Sequence, residues 1–310
     1  MYKKILCVIC VVSLLVMPMS HGVKAENGLT ENYEFYECDY NTREVSTYTV
    51  PVVNTVQSTW ELFSDAEVSN MSAFMGLENN TLMPNTIIGN DTRIPTPPSG
   101  GAPYSSVVFI YLAYDNDGDG IADDARSGTG FLVSSKVVVT AAHVVHEDGM
   151  ELVEMRIYTD VHSASEDISV AVADATYYYP ARWTWSTNWS DTTIRKNYDY
   201  CVIELFTPQI RPYYFNCVMS SNADTPQNVY VSGYPGDMGH QQVQSYGQMT
   251  YTDYYICRLT NDAMTGMSGG PIYRTDCIGI ITRQKPDYNE GNLFTPDIYN
   301  LICSKIADNQ

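Results

Sequence analysis

Three short segments carry side chains that together suit acyl transfer. His143 closes the run Val137-Val138-Val139-Thr140-Ala141-Ala142-His143. Asp199 stands in Asn197-Tyr198-Asp199-Tyr200, just ahead of the apolar Cys201-Val202-Ile203. Ser268 lies in Thr265-Gly266-Met267-Ser268-Gly269-Gly270-Pro271. A serine hydroxyl attacks poorly until a base takes its proton, and an imidazole near neutral pKa suits that task. The imidazole in turn needs a carboxylate to fix its tautomer and meet its charge. Glycines around the serine let the backbone turn tightly and aim N–H groups at a developing oxyanion. A lone His after a strand is usually structural, and an Asp entering a strand is commonly a turn residue. The conjunction, in the chain order His, Asp, Ser, decides for chemistry. His146 lacks the Thr-Ala-Ala approach, and Asp191 sits in a Ser/Thr/Asn-rich loop.

The elements that must position these residues read as short strands. Apolar runs recur at Val107–Ile110, Gly130–Val133, Lys136–Val139, Ser169–Val172, Cys201–Ile203, Val229–Val231 and Ile278–Ile281. Gly, Pro, Asn and Asp clusters separate them, which predicts an all-β sandwich or barrel. The one long helix expected is C-terminal, from about Pro296 to Ile306.

Composition narrows the function classes. With 36 acidic against 17 basic residues and a formal charge of −19, the chain lacks the basic footprint a nucleic-acid binder needs. At the amino end, Lys3 and Lys4 precede an apolar run from Ile5 to Met17, and Val23-Lys24-Ala25 offers a small-x-small cleavage site. This predicts a secretory signal peptide over residues 1–25, too short for a membrane span. The protein is therefore expected outside the cell, with no membrane span. Residues 26–86 hold ten acids and a single base, Arg43, which suits an acidic propeptide or weakly folded leader; an extension that stays attached is the other reading.

The His and Ser segments resemble those of the chymotrypsin-like serine proteases. Within them, Ile87-Ile88-Gly89-Asn90-Asp91-Thr92-Arg93 and Val231-Ser232-Gly233-Tyr234-Pro235-Gly236-Asp237 resemble the bacterial glutamyl endopeptidase branch. The resemblance implies two perpendicular six-stranded β-barrels over 87–310, divided at about 87–206 and 207–295, with a C-terminal helix. It also implies a zymogen cut by an activating protease before Ile87, acting on protein or peptide substrates. By motif, His143 is the general base and later acid, Asp199 orients it and Ser268 is the nucleophile. The N–H groups of Gly266 and Ser268 form the oxyanion hole. No cofactor is required for this chemistry.

The specificity pocket departs from the branch. Where the branch places a His that recognises the substrate carboxylate, this chain has Ile281. Asp262 stands six residues before Ser268, the trypsin-like position for an acid that binds Lys or Arg; a structural role is its other reading. Thr282 and Arg283 follow on the same wall, and Arg283 offers a cation for acidic substrates.

Two further signals remain. Asp115-Asn116-Asp117-Gly118-Asp119-Gly120-Ile121-Ala122-Asp123 matches the first half of a calcium loop. Its twelfth position is Arg126, so it is no EF-hand; it reads equally as a structural calcium site through Asp115, Asp117, Asp119 and Asp123 or as a solvated hairpin tip. Five cysteines lie beyond Ile87, an odd number, with Cys257 and Cys277 bracketing Ser268. The rivals to a protease are an esterase using the same triad and a catalytically inactive binding protein on a protease fold.

Overall fold

The computed structural model describes residues 32–52, 87–97, 101–147, 149–161, 164–219 and 226–310. The expected signal peptide lies outside the described residues, as does most of the expected leader.

Strands rich in Val, Ile and Tyr dominate, as β-branched and aromatic side chains favour a pleated, half-buried surface. In order they are β1 (Asn32–Asp39), β2 (Val45–Pro51), β3 (Ile94–Pro95), β4 (Val107–Asp115), β5 (Asp124–Leu132), β6 (Val137–Thr140), β7 (Glu151–Thr159) and β8 (Thr176–Tyr178). There follow β9 (Pro180–Ser186), β10 (Cys201–Leu205), β11 (Gln227–Gly233), β12 (Val243–Tyr251), β13 (Ile256–Leu259), β14 (Pro271–Tyr273), β15 (Cys277–Gln284) and β16 (Asn289–Leu293). The helix Pro296–Asp308 closes the chain, as expected.

These strands form two sheets. The first runs β2-β1-β9-β10-β6-β5-β4-β7-β8, and the second β11-β14-β15-β16-β13-β12-β3. An added β11–β12 ladder, from Gln227↔Met249 to Gly233↔Val243, closes six strands of the second into a barrel. Its core holds Val229, Val231, Met249, Met267, Ile272 and Ile281. The first sheet encloses a larger core that includes Phe109, Phe131, Val139, Val202 and Ile203, against which Leu301 and Ile302 of the C-terminal helix pack. Each such aliphatic or aromatic side chain contributes about 1.5–3 kcal/mol of burial. The all-β reading with a C-terminal helix holds; the second sheet closes as a six-stranded barrel, while the first runs as nine strands.

Three expectations need correction. Ser169–Val172 is not a strand: residues Ile168–Ala171 form a one-turn helix, because the Asp167 side chain accepts the Ser169 N–H at 2.9 Å and caps it. The segment 87–97, assigned to the first barrel, runs along the second. There β3 pairs with β12, and the buried Arg93 guanidinium bridges Asp91 at 2.8 Å and Asp237 at 2.7 Å. Finally, residues 32–51 of the expected leader are folded: β1 and β2 form a hairpin whose β1 edge adds to β9.

Candidate active site

A tight turn delivers Asp199. The short 3-10 helix Arg195–Tyr198 ends there, Asp199 has φ −81° and ψ 67°, and the Tyr200 N–H reaches the Tyr198 carbonyl at 2.9 Å. That is an inverse γ-turn at a strand entry. It leaves the carboxylate free to meet the one-turn helix Ala142–Val145 that follows β6. Asp199 Oδ1 accepts the His143 backbone N–H at 3.0 Å, and Oδ2 lies 2.8 Å from His143 Nδ1. Because a carboxylate only accepts, Nδ1 carries the proton and Nε2 is left as the basic nitrogen.

The electrostatics of the pair follow from burial and partnership. Asp199 is 3% exposed. Burial opposes its charge, but the His143 charge, the hydrogen bonds from His143 and the nearby Arg283 outweigh it and hold the carboxyl below its usual range. Burial likewise opposes a charged His143, yet Asp199 outweighs it and holds the imidazole above the usual histidine range, with Arg283 pulling the other way. The His143 side chain keeps 36% exposure, so it borders solvent where its partner does not.

The serine turn is fixed by backbone contacts. The Thr129 N–H on β5 donates to the Ser268 carbonyl at 2.9 Å, and the Gly269 N–H to the Ile281 carbonyl at 2.8 Å. Gly269 has φ +85°, and a Cβ there would lie 2.2 Å from both the Thr129 carbonyl and Thr140 Oγ1, and 2.9 Å from Ala141 N. Only glycine permits that approach, and it presses the serine turn against backbone two residues before His143. Gly266 has φ +99°, with an added Cβ 2.4 Å from the Tyr234 carbonyl. Among the described residues, the N–H groups of Gly266 and Ser268 donate to no protein acceptor.

The family model for the trypsin-like peptidase domain matches residues 128–279, a span that holds all three residues. The chain carries a trypsin-like peptidase domain, the domain of the chymotrypsin-fold serine proteases. It is 27% identical to a protein of Bacillus subtilis (strain 168) named an extracellular metalloprotease, over 73% of this chain and 72% of that protein. It is 24% identical to a glutamyl endopeptidase of Bacillus licheniformis, over 71% of this chain and 68% of that one. Among solved structures, a Glu endopeptidase in complex with MPD aligns with TM-score 0.57 and 20% identity, covering 71% of this chain and 99% of that one. An inactivated protease paralogue of the scabies mite aligns with TM-score 0.51 and 14% identity, over 69% of this chain and 98% of that one.

In this domain the four residues expected to form a specificity pocket are each engaged within the protein. Asp262 is 1% exposed; its oxygens accept the Ile88 N–H, the Thr92 N–H and the Thr92 hydroxyl, each at 2.7 Å. It anchors the segment after Ile87 and is buried there, out of reach of a basic substrate. Ile281 packs in the second core, and its N–H donates to the Gly270 carbonyl at 2.9 Å, so it backs the serine turn. Thr282, 3% exposed, donates to Asn292 Oδ1 at 2.9 Å.

Arg283 is committed elsewhere. Its guanidinium lies 3.6 Å from Asp199 Oδ2 and 3.0 Å from Glu290 Oε2, and it donates to the Lys196 carbonyl at 3.0 Å and Asn292 Oδ1 at 3.2 Å. Glu290 and Asn292 escaped the sequence reading; their alternate positions beside Gly291 on one short strand were the available signal. Asn292 also donates to the Lys196 carbonyl at 2.9 Å, so both hold the loop that leads into Asp199.

Away from His143, Asp199 and Ser268, the residues Asp115, Asp117 and Asp123 bring carboxylate oxygens within 4.8 Å of one another at the β4–β5 tip. Asp119 is not in that group; it accepts the Ile121 N–H at 2.8 Å. Backbone donors from Gly120, Gly118 and Asp117 hold the Asp115 carboxyl below its usual range. Cys257 and Cys277 do not staple the serine loop. All six described cysteines are free; Cys277 pairs with Cys217 only through the backbone, as an isolated β-bridge, and Cys257 lies in the second core.

Of the charged groups acting on His143, Asp199 and Glu147 favour its protonation, and Arg283 adds to burial in opposing it. Replacing Arg283 by Met is therefore expected to move the His143 titration to higher pH, read from its ring resonance by NMR. An unchanged or lower midpoint in a folded variant contradicts this electrostatic role.

Proposed function

We propose that the protein is a secreted endopeptidase, made with a signal peptide over residues 1–25 and as a zymogen cut before Ile87. Ser268 Oγ attacks the scissile carbonyl as His143 Nε2 takes its proton. The oxyanion accepts hydrogen bonds from the Gly266 and Ser268 N–H groups. The protonated imidazole, stabilised by Asp199, then passes the proton to the leaving amine. Water, deprotonated by the same nitrogen, releases the acid from the acyl-enzyme and frees the serine.

The observation that carries this reading is the grip of one buried carboxylate on both the backbone and the ring of His143. It orients the imidazole and leaves Nε2 basic. The two N–H groups of the glycine-framed turn without protein acceptors support the oxyanion assignment. The relatives' names include a glutamyl endopeptidase, but the engaged Asp262 and the core position of Ile281 support no preference for acidic or basic residues.

The acidic loop is proposed to hold a structural calcium ion through Asp115, Asp117 and Asp123. Their all-oxygen donor set suits a hard cation, and extracellular calcium fills even weak sites. The ion has no step in the reaction.

Cleavage of a quenched-fluorescent peptide library by the processed protein tests the activity. Ser268→Ala is expected to lower kcat/KM by about 10⁴-fold or more with the melting temperature unchanged. Retained activity in that variant, or loss of activity to a chelator while the fold stays intact, would contradict the serine mechanism. For the loop, calcium is expected to raise the melting temperature relative to chelator, and Asp117→Asn to abolish the difference; identical melting with and without calcium removes the ion.

A further inference from the structure

The sequence suits residues 26–86 to an acidic propeptide or weakly folded leader, or to an extension that stays attached, and part of it is built into the sheet that β10 joins just after Asp199. We propose that the hairpin of β1 and β2 is a resident part of the enzyme. After the chain is cut before Ile87, the piece holding residues 32–51 stays bound, and the mature protease is a two-piece molecule joined without a covalent link. This rests on the zymogen reading for the natural cut, but not for the interface itself.

Backbone pairing gives the first argument. β1 is hydrogen-bonded on both edges, to β2 from Asn32↔Pro51 to Cys38↔Val45 and to β9 from Phe35↔Ser186 to Asp39↔Arg182. β9 in turn pairs with β10 from Cys201↔Trp185, and β10 begins two residues after Asp199. Loss of the hairpin would expose the β9 edge as an unpaired template, which folded proteins avoid.

Apolar contacts agree. Phe35, Cys38 and Val50 are 1%, 5% and 3% exposed and belong to the same core as Val139, Val202 and Leu301. Tyr36 packs on Trp185 with ring centroids 5.8 Å apart, and Trp185 packs on His146 at 4.2 Å, three residues from His143. Tyr40 and Arg43 cover Trp183 in the same way.

Charge makes the strongest case. Lys305 of the C-terminal helix is 1% exposed. It pairs with Glu37 of β1, lies 2.9 Å from Glu204 of β10 and stands 3.6 Å over the Tyr48 ring of β2. Arg182 of β9 flanks both acids, at 3.6 and 3.9 Å. Two acids and two bases thus balance across four elements, one acid coming from the hairpin. Releasing the hairpin would leave Lys305 with half of its counter-charge and no aromatic cover, and breaking a buried pair is strongly destabilising. The hairpin also leaves the chemistry unobstructed: among the described residues, 32–52 make no hydrogen bond or ion pair to His143, Asp199 or residues 266–270.

The test is an engineered recognition sequence for a site-specific protease, placed between residues 52 and 86 of the full chain in a Ser268→Ala background. After cutting, size exclusion and native mass spectrometry are expected to show the small piece bound to the body, leaving only when the body unfolds. A piece that elutes alone while the body keeps its melting temperature overturns the proposal. Glu37→Gln, a near-isosteric change, is expected to weaken retention at least tenfold; equal retention overturns the role given to Lys305. Amino-terminal sequencing of naturally secreted protein is read separately: an uncut chain contradicts the zymogen reading while the engineered cut still decides the hairpin.

Discussion

Burying the Asp199 carboxylate is the constraint around which the site is organised. A charge taken out of water costs several kcal/mol unless hydrogen bonds and an opposite charge meet it. Asp199 meets that demand from both halves of the molecule, through the His143 backbone and ring on the first sheet and Arg283 on the second. The same contacts fix the imidazole, bring the two sheets to a common point and set the protonation of His143. Asn292 and Glu290, which hold Arg283 and the Lys196 carbonyl, extend the arrangement into the second barrel.

A second charged group does comparable work on the far side of β10. The strand that starts beside Asp199 carries Glu204 at its other end, paired with Lys305. One short strand therefore connects the carboxylate that holds His143 to the one that holds Lys305. The Lys305 cluster joins the C-terminal helix, β9, β10 and the amino-terminal hairpin, and so steadies the sheet from which His143 and Asp199 both project.

What was legible in the sequence was local. The His, Asp and Ser segments each place their residue at a strand end or glycine turn, and the apolar runs at Val107, Lys136, Cys201 and Ile278 mark β4, β6, β10 and β15. The acidic loop was correctly set between strands, since β4 and β5 flank it. What escaped depends on distant partners. The hairpin's inward Glu37 reads as a solvent residue until Lys305 is placed against it. Asp262 and Arg283 look like pocket charges until Ile88, Thr92 and Asp199 claim them. Ser169–Val172 has the composition of a strand, and one cap by Asp167 turns it helical.

The claim that Ser268 is a nucleophile activated by His143 is tested most directly by reacting the processed protein with a fluorophosphonate and mapping the adduct by mass spectrometry. The account predicts one adduct per chain, on Ser268, and its loss in a folded His143→Ala variant. No adduct, an adduct on another side chain, or undiminished labelling without His143 would contradict it.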